Sequence, residues 1–299
     1  MDVSFFKGII PPIAVPIDEN EHVNEAMMRK HVDFCIDGGV SGILAFGSNG
    51  EFYMQEEDEM KEILDIIVDQ TAGRVPVYMG IGAIRTSKCI RLAKMGVDHG
   101  ATGVSVLQPM FLKPTKDELK SHFAAIADSI PGVPMLLYNN PGRTGYGISQ
   151  DIVYELAHEK ENIVGMKDSS GDITQTEEFI RRNRDVGFRV MCGKDTIIFA
   201  GLAVGAVGAV CCTANFMPKH IVSIYDKFMA GDYDGSREAQ FKLNPIRLQM
   251  DVSSFPVATK DYANILGEVL GAPYLPSKNS TPAQIEGLKN VLRKEGFLS

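Results

Sequence analysis

The sequence predicts an α/β protein, a (β/α)8 TIM barrel with a C-terminal helical extension, and three observations lead there. Eight short, apolar, β-rich runs alternate with longer amphipathic stretches between residues 9 and about 210. Strand signals stop after Asn215, and the rest of the chain reads as helix. Such alternation requires parallel strands with helical crossovers, and eight units in about 210 residues suit a closed barrel better than an open doubly wound sheet.

The first strand is expected over Ile9 to Pro16, and Asn24 to Asp37 has the spacing of a helix. Strand candidates at Gly42 to Phe46, Val75 to Met79 and Gly103 to Leu107 are separated by helical patterns at Glu56 to Gln70 and Ser87 to His99. A helix over Thr115 to Ser129 precedes the strand Pro134 to Tyr138, and the strand Ile163 to Met166 precedes a helix over Asp172 to Arg184. Arg189 to Met191 and Ala206 to Val210 complete the eight. Asn24, Thr115 and Asp172 fit as N-caps, because each side chain can accept a bond from the unpaired N–H groups of a first turn. Helices are then expected over Lys219 to Ala230, Asp234 to Asp251, Pro256 to Leu270 and Thr281 to Gly296, with a break at Gly271-Ala272-Pro273. The expected organisation is a barrel domain over residues 1–224 and a helical region over residues 225–299.

Composition narrows the function. The 299 residues are 44% hydrophobic and 23% charged, as in an ordinary globular protein, and the formal net charge is -8. An acidic chain is a poor general surface for nucleic acid or an anionic membrane, so any anionic substrate needs local cations. No apolar run approaches a membrane span, and the stretch from Met1 to Lys7 does not read as a signal peptide. Five cysteines without C-x-x-C spacing suggest reduced, buried thiols and a cytoplasmic protein. Six scattered histidines offer no metal-ligand spacing, so no metal site is expected.

In a barrel of this kind, chemistry sits at the carboxyl ends of the strands. Three of those ends stand out. The second carries Gly47-Ser48-Asn49-Gly50-Glu51, small polar residues between glycines, suited to a tight turn around a carboxylate or phosphate. The fifth ends in Tyr138-Asn139-Asn140-Pro141-Gly142-Arg143, offering a phenol for proton transfer and a guanidinium fork for a carboxylate. The sixth ends in Gly165-Met166-Lys167-Asp168, and a lysine held at a pocket rim can attack a carbonyl once desolvation frees its amine. Each feature has an ordinary structural reading by itself. Together they suit a 2-oxo acid, with its carboxylate in the turn, its carbonyl at the lysine and a proton relayed by the phenol.

These three motifs, in this order and spacing, resemble the dihydrodipicolinate synthase and N-acetylneuraminate lyase family of Schiff-base-forming class I aldolases, over essentially the whole chain. The resemblance implies that Lys167 forms an imine with pyruvate, that Tyr138 relays protons, and that Ser48 and Asn49 hold the carboxylate. It implies binding roles for Gly193, Val210 and Arg143, the last toward an acidic aldehyde. It also implies a homotetramer that needs no cofactor. Two departures stand out. The family's second relay tyrosine normally lies in a Pro-Tyr-Tyr sequence, which here reads Pro109-Met110-Phe111, and Asn49 replaces a hydroxyl residue. Glu57, Met60 and Ile84 stand where lysine-inhibited synthases place polar contacts, so feedback by lysine is not expected.

The expected function is a pyruvate-dependent aldolase of the 4-hydroxy-2-oxoglutarate or 2-keto-3-deoxy sugar acid type. The alternative is 4-hydroxy-tetrahydrodipicolinate synthase, condensing pyruvate with aspartate semialdehyde, with a dehydratase of deoxy-oxo acids third. A non-catalytic binder of oxo acids is the reading from a different class.

Overall fold

A computed structural model describes residues 3–299; Met1 and Asp2, which begin the stretch read for a signal peptide, lie outside the described residues. Eight strands run β1 Gly8–Ile10, β2 Ile43–Ala45, β3 Val77–Ile81, β4 Gly103–Leu107, β5 Met135–Asn139, β6 Ile163–Asp168, β7 Arg189–Cys192 and β8 Gly208–Val210. All the ladders are parallel, in the order β1-β8-β7-β6-β5-β4-β3-β2. The seam between β1 and β2 closes beyond the end of β1. Leu44 N–H donates to the Pro11 carbonyl and Ile13 N–H to the Leu44 carbonyl, each at 3.0 Å. The predicted (β/α)8 barrel is therefore present.

The first strand is shorter than expected. Pro11 and Pro12 have no N–H to give, so the ladder stops at Ile10 and only a bridge from Pro12 to Leu44 continues it. Strands β3 to β6 are buried throughout, as crossover helices covering a parallel sheet require. Ile10, Leu44, Tyr78, Leu136, Val164, Met191 and Val210, joined by Phe6, form one apolar cluster, while a larger cluster lies between strands and helices.

The helices are α1 Glu25–Asp37, α2 Glu57–Thr71, α3 Thr86–Asp98, α4 Lys116–Ser129, α5 Pro141–Thr144, α6 Gln150–Glu159, α7 Ile173–Asn183 and α8 Ile198–Ala203. After β8 come α9 Pro218–Met229, α10 Tyr233–Gln249, α11 Val257–Leu266 and α12 Pro282–Lys294. The three expected N-caps form. Asn24 Oδ1 accepts from Met27 N at 3.1 Å, Thr115 Oγ1 from Glu118 N at 3.3 Å and Asp172 Oδ1 from Gln175 N at 3.2 Å. Three helices, the single turn α5 and the longer α6 and α8, are additions to the elements read from sequence. The run Ile152-Val153-Tyr154 in α6 is β-branched and aromatic, and α8 has only six residues, too few for a helical period. In the tail, α11 ends at Leu266 and not Leu270, because Gly267 turns the chain with a φ of +97°. Among the described residues, no helix is long and apolar enough to cross a membrane.

Candidate active site

The carboxyl ends of the strands gather the predicted residues into one pocket. Lys167 and Tyr138 line it with Ser48, Asn49 and Arg143, and Gly193 and Val210 complete the predicted set. Lys194 and Arg247 line it too, so four basic side chains face the cavity against one carboxylate, that of Asp195. The carboxylate is already engaged, accepting from Thr213 N at 2.8 Å and Thr213 Oγ1 at 2.7 Å. Local charge thus suits an anion although the chain is acidic overall.

Lys167 and Tyr138 lie within their strands, each one residue before the end, and not just beyond it as the sequence suggested for the lysine. They are register partners on β5 and β6, so both side chains project to the same side. The lysine is 4% exposed and its Nζ sits 4.2 Å from the centroid of the Tyr138 ring. The next residues, Asn139 and Asp168, are also partners and turn the other way. Asn139 Nδ2 donates to Asp168 Oδ1 at 2.8 Å, while Thr176 Oγ1 and Ser170 Oγ donate to Asp168 Oδ2 at 2.6 and 2.9 Å. Gln108 Nε2 holds Thr144 Oγ1 and the Tyr146 carbonyl at 3.0 and 2.8 Å. This buried polar layer pins the strand ends from behind.

Burial pushes the Tyr138 phenol up, yet the Lys167 charge and hydrogen bonds with Ser48, Ser169 and Asn140 outweigh it and leave the phenol below the usual tyrosine value. The Asn140 bond is Nδ2 to the phenolic oxygen at 2.9 Å. A phenol that gives up its proton more readily, beside an amine, is equipped for proton transfer.

The anion turn is a short 3-10 segment, Ser48–Gly50, after β2. It is tied to the tail of the chain. Thr259 Oγ1 on α11 donates to Asn49 Oδ1 at 2.7 Å, and Lys260 Nζ pairs with Glu51 Oε2 at 2.8 Å with both side chains 1% exposed. Glu51 Oε1 also accepts from Tyr274 N at 3.1 Å, and Lys260 donates to the Ala272 carbonyl at 2.8 Å. Gly193 follows β7, and a Cβ there would stand 2.0 Å from Ser169 Oγ, so a larger residue would displace that hydroxyl. Its N–H is given to the Asp168 carbonyl at 2.7 Å, and its carbonyl accepts from Ser169 Oγ at 3.2 Å.

Arg143 lies on α5, the single turn after β5, with its guanidinium 4.3 Å from the centroid of the Phe255 ring. It makes no ion pair among the described residues. Arg247 on α10 faces the same cavity, anchored to Asp251 Oδ1 at 3.0 Å. Phe111 is not in the pocket; it stands 99% exposed after β4, with a φ of +73°.

Sequence reasoning missed Arg247, Thr259 and Lys260, which come from the tail and carry no local signal. Asn140 and Ser169 fell inside the motifs already noted, but only the folded strands bring them to the phenol.

Fold and site together define a carbon-carbon lyase of the Schiff-base-forming, pyruvate-dependent aldolase class. The model of the dihydrodipicolinate synthetase family matches residues 5–292, and the chain belongs to that family. It is 35% identical over 291 residues to the 4-hydroxy-tetrahydrodipicolinate synthase of Methanospirillum hungatei, covering 97% of this chain and 99% of that one. Dihydrodipicolinate synthase from Thermotoga maritima superposes with a TM-score of 0.94 at 28% identity, covering 98% and 100% of the two chains. YagE, a member of the dihydrodipicolinic acid synthase family from E. coli K12 solved with pyruvate, gives 0.93 at 27% identity, covering 98% and 99%. Membership of a lyase family sets aside the non-catalytic binder. The relatives also favour the synthase, second of the three enzymatic readings drawn from the sequence, over the sugar-acid or hydroxy-oxoglutarate aldolase.

Proposed function

We propose that the protein is a 4-hydroxy-tetrahydrodipicolinate synthase, condensing pyruvate with aspartate semialdehyde through an imine at Lys167. One observation carries this reading: the buried Lys167 amine lies against the Tyr138 ring in a pocket whose unpaired Arg143 can receive a second carboxylate. Lys167 attacks the oxo carbon of pyruvate and water leaves as the imine forms. Tyr138 gives its proton to the hydroxyl that departs as water and, as phenolate, takes a methyl proton while the cationic nitrogen draws electrons; the resulting enamine carbon attacks the aldehyde. The phenol returns its proton to the new alkoxide. Ser48 and Asn49 hold the pyruvate carboxylate, Gly193 and Val210 border the bound acid, and Arg143 receives the carboxylate of the aldehyde.

Phe111 favours a second reading. It places a ring without a hydroxyl where a relay tyrosine stands in the family, so an aldolase acting on a different acidic aldehyde shares the same first half-reaction. A coupled assay with pyruvate and aspartate semialdehyde separates the two. Robust condensation supports the synthase; none, with turnover on 4-hydroxy-2-oxoglutarate or a 2-keto-3-deoxy sugar acid, supports the aldolase. The reading includes a homotetramer, supported by the exposed apolar pair Phe111 and Leu112, and light scattering of the purified protein measures that mass directly.

A further inference from the structure

Asn49 is the one member of the anion turn whose side chain has two chemically opposite ends. One end, Oδ1, would repel a carboxylate, and the other, Nδ2, would donate to it. The two are nearly the same size, so space alone does not choose between them. Thr259 chooses. Its hydroxyl reaches Asn49 Oδ1 at 2.7 Å in a fully buried contact that spans 210 residues of sequence. With Oδ1 engaged, Nδ2 is the end left without a protein partner among the described residues, and Asn49 itself lines the pocket.

We infer that Thr259 is a positioning residue for the substrate, locking the Asn49 amide with its donor end toward the carboxylate of the bound 2-oxo acid. The inference rests on the pyruvate reading of the pocket but not on the identity of the aldehyde. The next residue strengthens it. Lys260 is ion-paired with Glu51, two positions beyond Asn49, so the same turn of α11 fixes both the backbone of the anion loop and the orientation of its amide. The C-terminal helices are in this sense part of the substrate site, and the hydroxyl of Thr259 is needed only because position 49 is an amide.

The test compares Thr259→Val and Thr259→Ser with the unchanged protein, using pyruvate and its methyl ester as probes in borohydride trapping. Val keeps the shape and removes the donor. Its pyruvate KM is expected to rise by roughly tenfold, the factor for loss of one good hydrogen bond, with kcat at saturation within about twofold. Ser restores the donor and the KM. Methyl pyruvate carries no charge and accepts a weaker hydrogen bond, so its concentration dependence of trapping shifts much less than that of pyruvate in Thr259→Val. An unchanged pyruvate KM in Thr259→Val overturns the inference, as does an equal loss for ester and acid, which marks a merely structural role. If Val does not fold, Thr259→Ala makes the same comparison. Failure of the unchanged protein to trap pyruvate at Lys167 removes the parent reading and this inference with it; trapping there with no effect of Val removes this inference alone.

Discussion

Lys167 and Tyr138 face each other as register partners on adjacent strands, the amine 4.2 Å from the phenol ring. The barrel frame sets this geometry before any substrate arrives. A rigid pair of this kind needs little reorganisation at the moment of reaction, which is the advantage of building a site on strand ends.

Tyr138→Phe removes the hydroxyl but keeps the ring against Lys167. Turnover is expected to fall by roughly 10²-fold or more, with pyruvate trapping at Lys167 still detectable, if the phenol moves protons while the ring only packs. Steady-state kinetics check this, and turnover equal to that of the parent takes Tyr138 out of the mechanism.

Arg143→Gln keeps a polar, though shorter, side chain and removes the charge. The KM for an acidic aldehyde should rise by roughly 10- to 100-fold, since hydrogen bonds to charged groups contribute about 1.5–3 kcal/mol. Pyruvate KM should change little. A similar loss with an uncharged aldehyde would mean that Arg143 shapes the mouth without reading charge.

Lys260→Met tests the link between the tail and the anion turn. Removing one member of a pair this deeply buried leaves Glu51 charged and unpaired, a loss of about 3–5 kcal/mol in denaturant unfolding. Adding Glu51→Gln to Lys260→Met should recover much of it, because the uncompensated charge is gone. A double variant no more stable than the single would show that the pair is not the cause.

Acid weakens the fold through His31. Burial lowers its pKa from 6.5 to about 4, with the bond to Asn215 Oδ1 at 3.0 Å opposing only in part. The unfolded chain therefore binds the proton first. His31 contributes its full stability above about pH 6.5 and loses it as the pH falls toward 4. Between pH 7 and 5 this one group should cost about 2 kcal/mol. His122, also lowered to about 4 by burial, acts in the same direction. Urea unfolding of His31→Gln at both pH values should show a difference smaller by about that amount; an unchanged difference excludes His31.

Much of this architecture was legible in the sequence, and the exceptions have physical causes. Apolar runs at regular spacing and three working N-caps marked the barrel, because every crossover repeats the same pattern. Pro11 and Pro12 shortened β1 by withholding N–H groups, which composition does not convey for an extended segment. Lys167, Tyr138, Ser48 and Asn49 were visible because they follow strand signals directly. Thr259, Lys260 and Arg247 were not, since their meaning lies in contacts made some two hundred residues away or across the barrel mouth. Arg143 was visible as a cation after a strand end, but its stacking on Phe255 depends on where the tail folds back.

The most direct test of the account is the site of pyruvate capture. Borohydride reduction in the presence of pyruvate, followed by peptide mass spectrometry, should place a single stable adduct on Lys167, and Lys167→Ala should abolish it. An adduct on another lysine, or none on the intact protein, would contradict the imine mechanism.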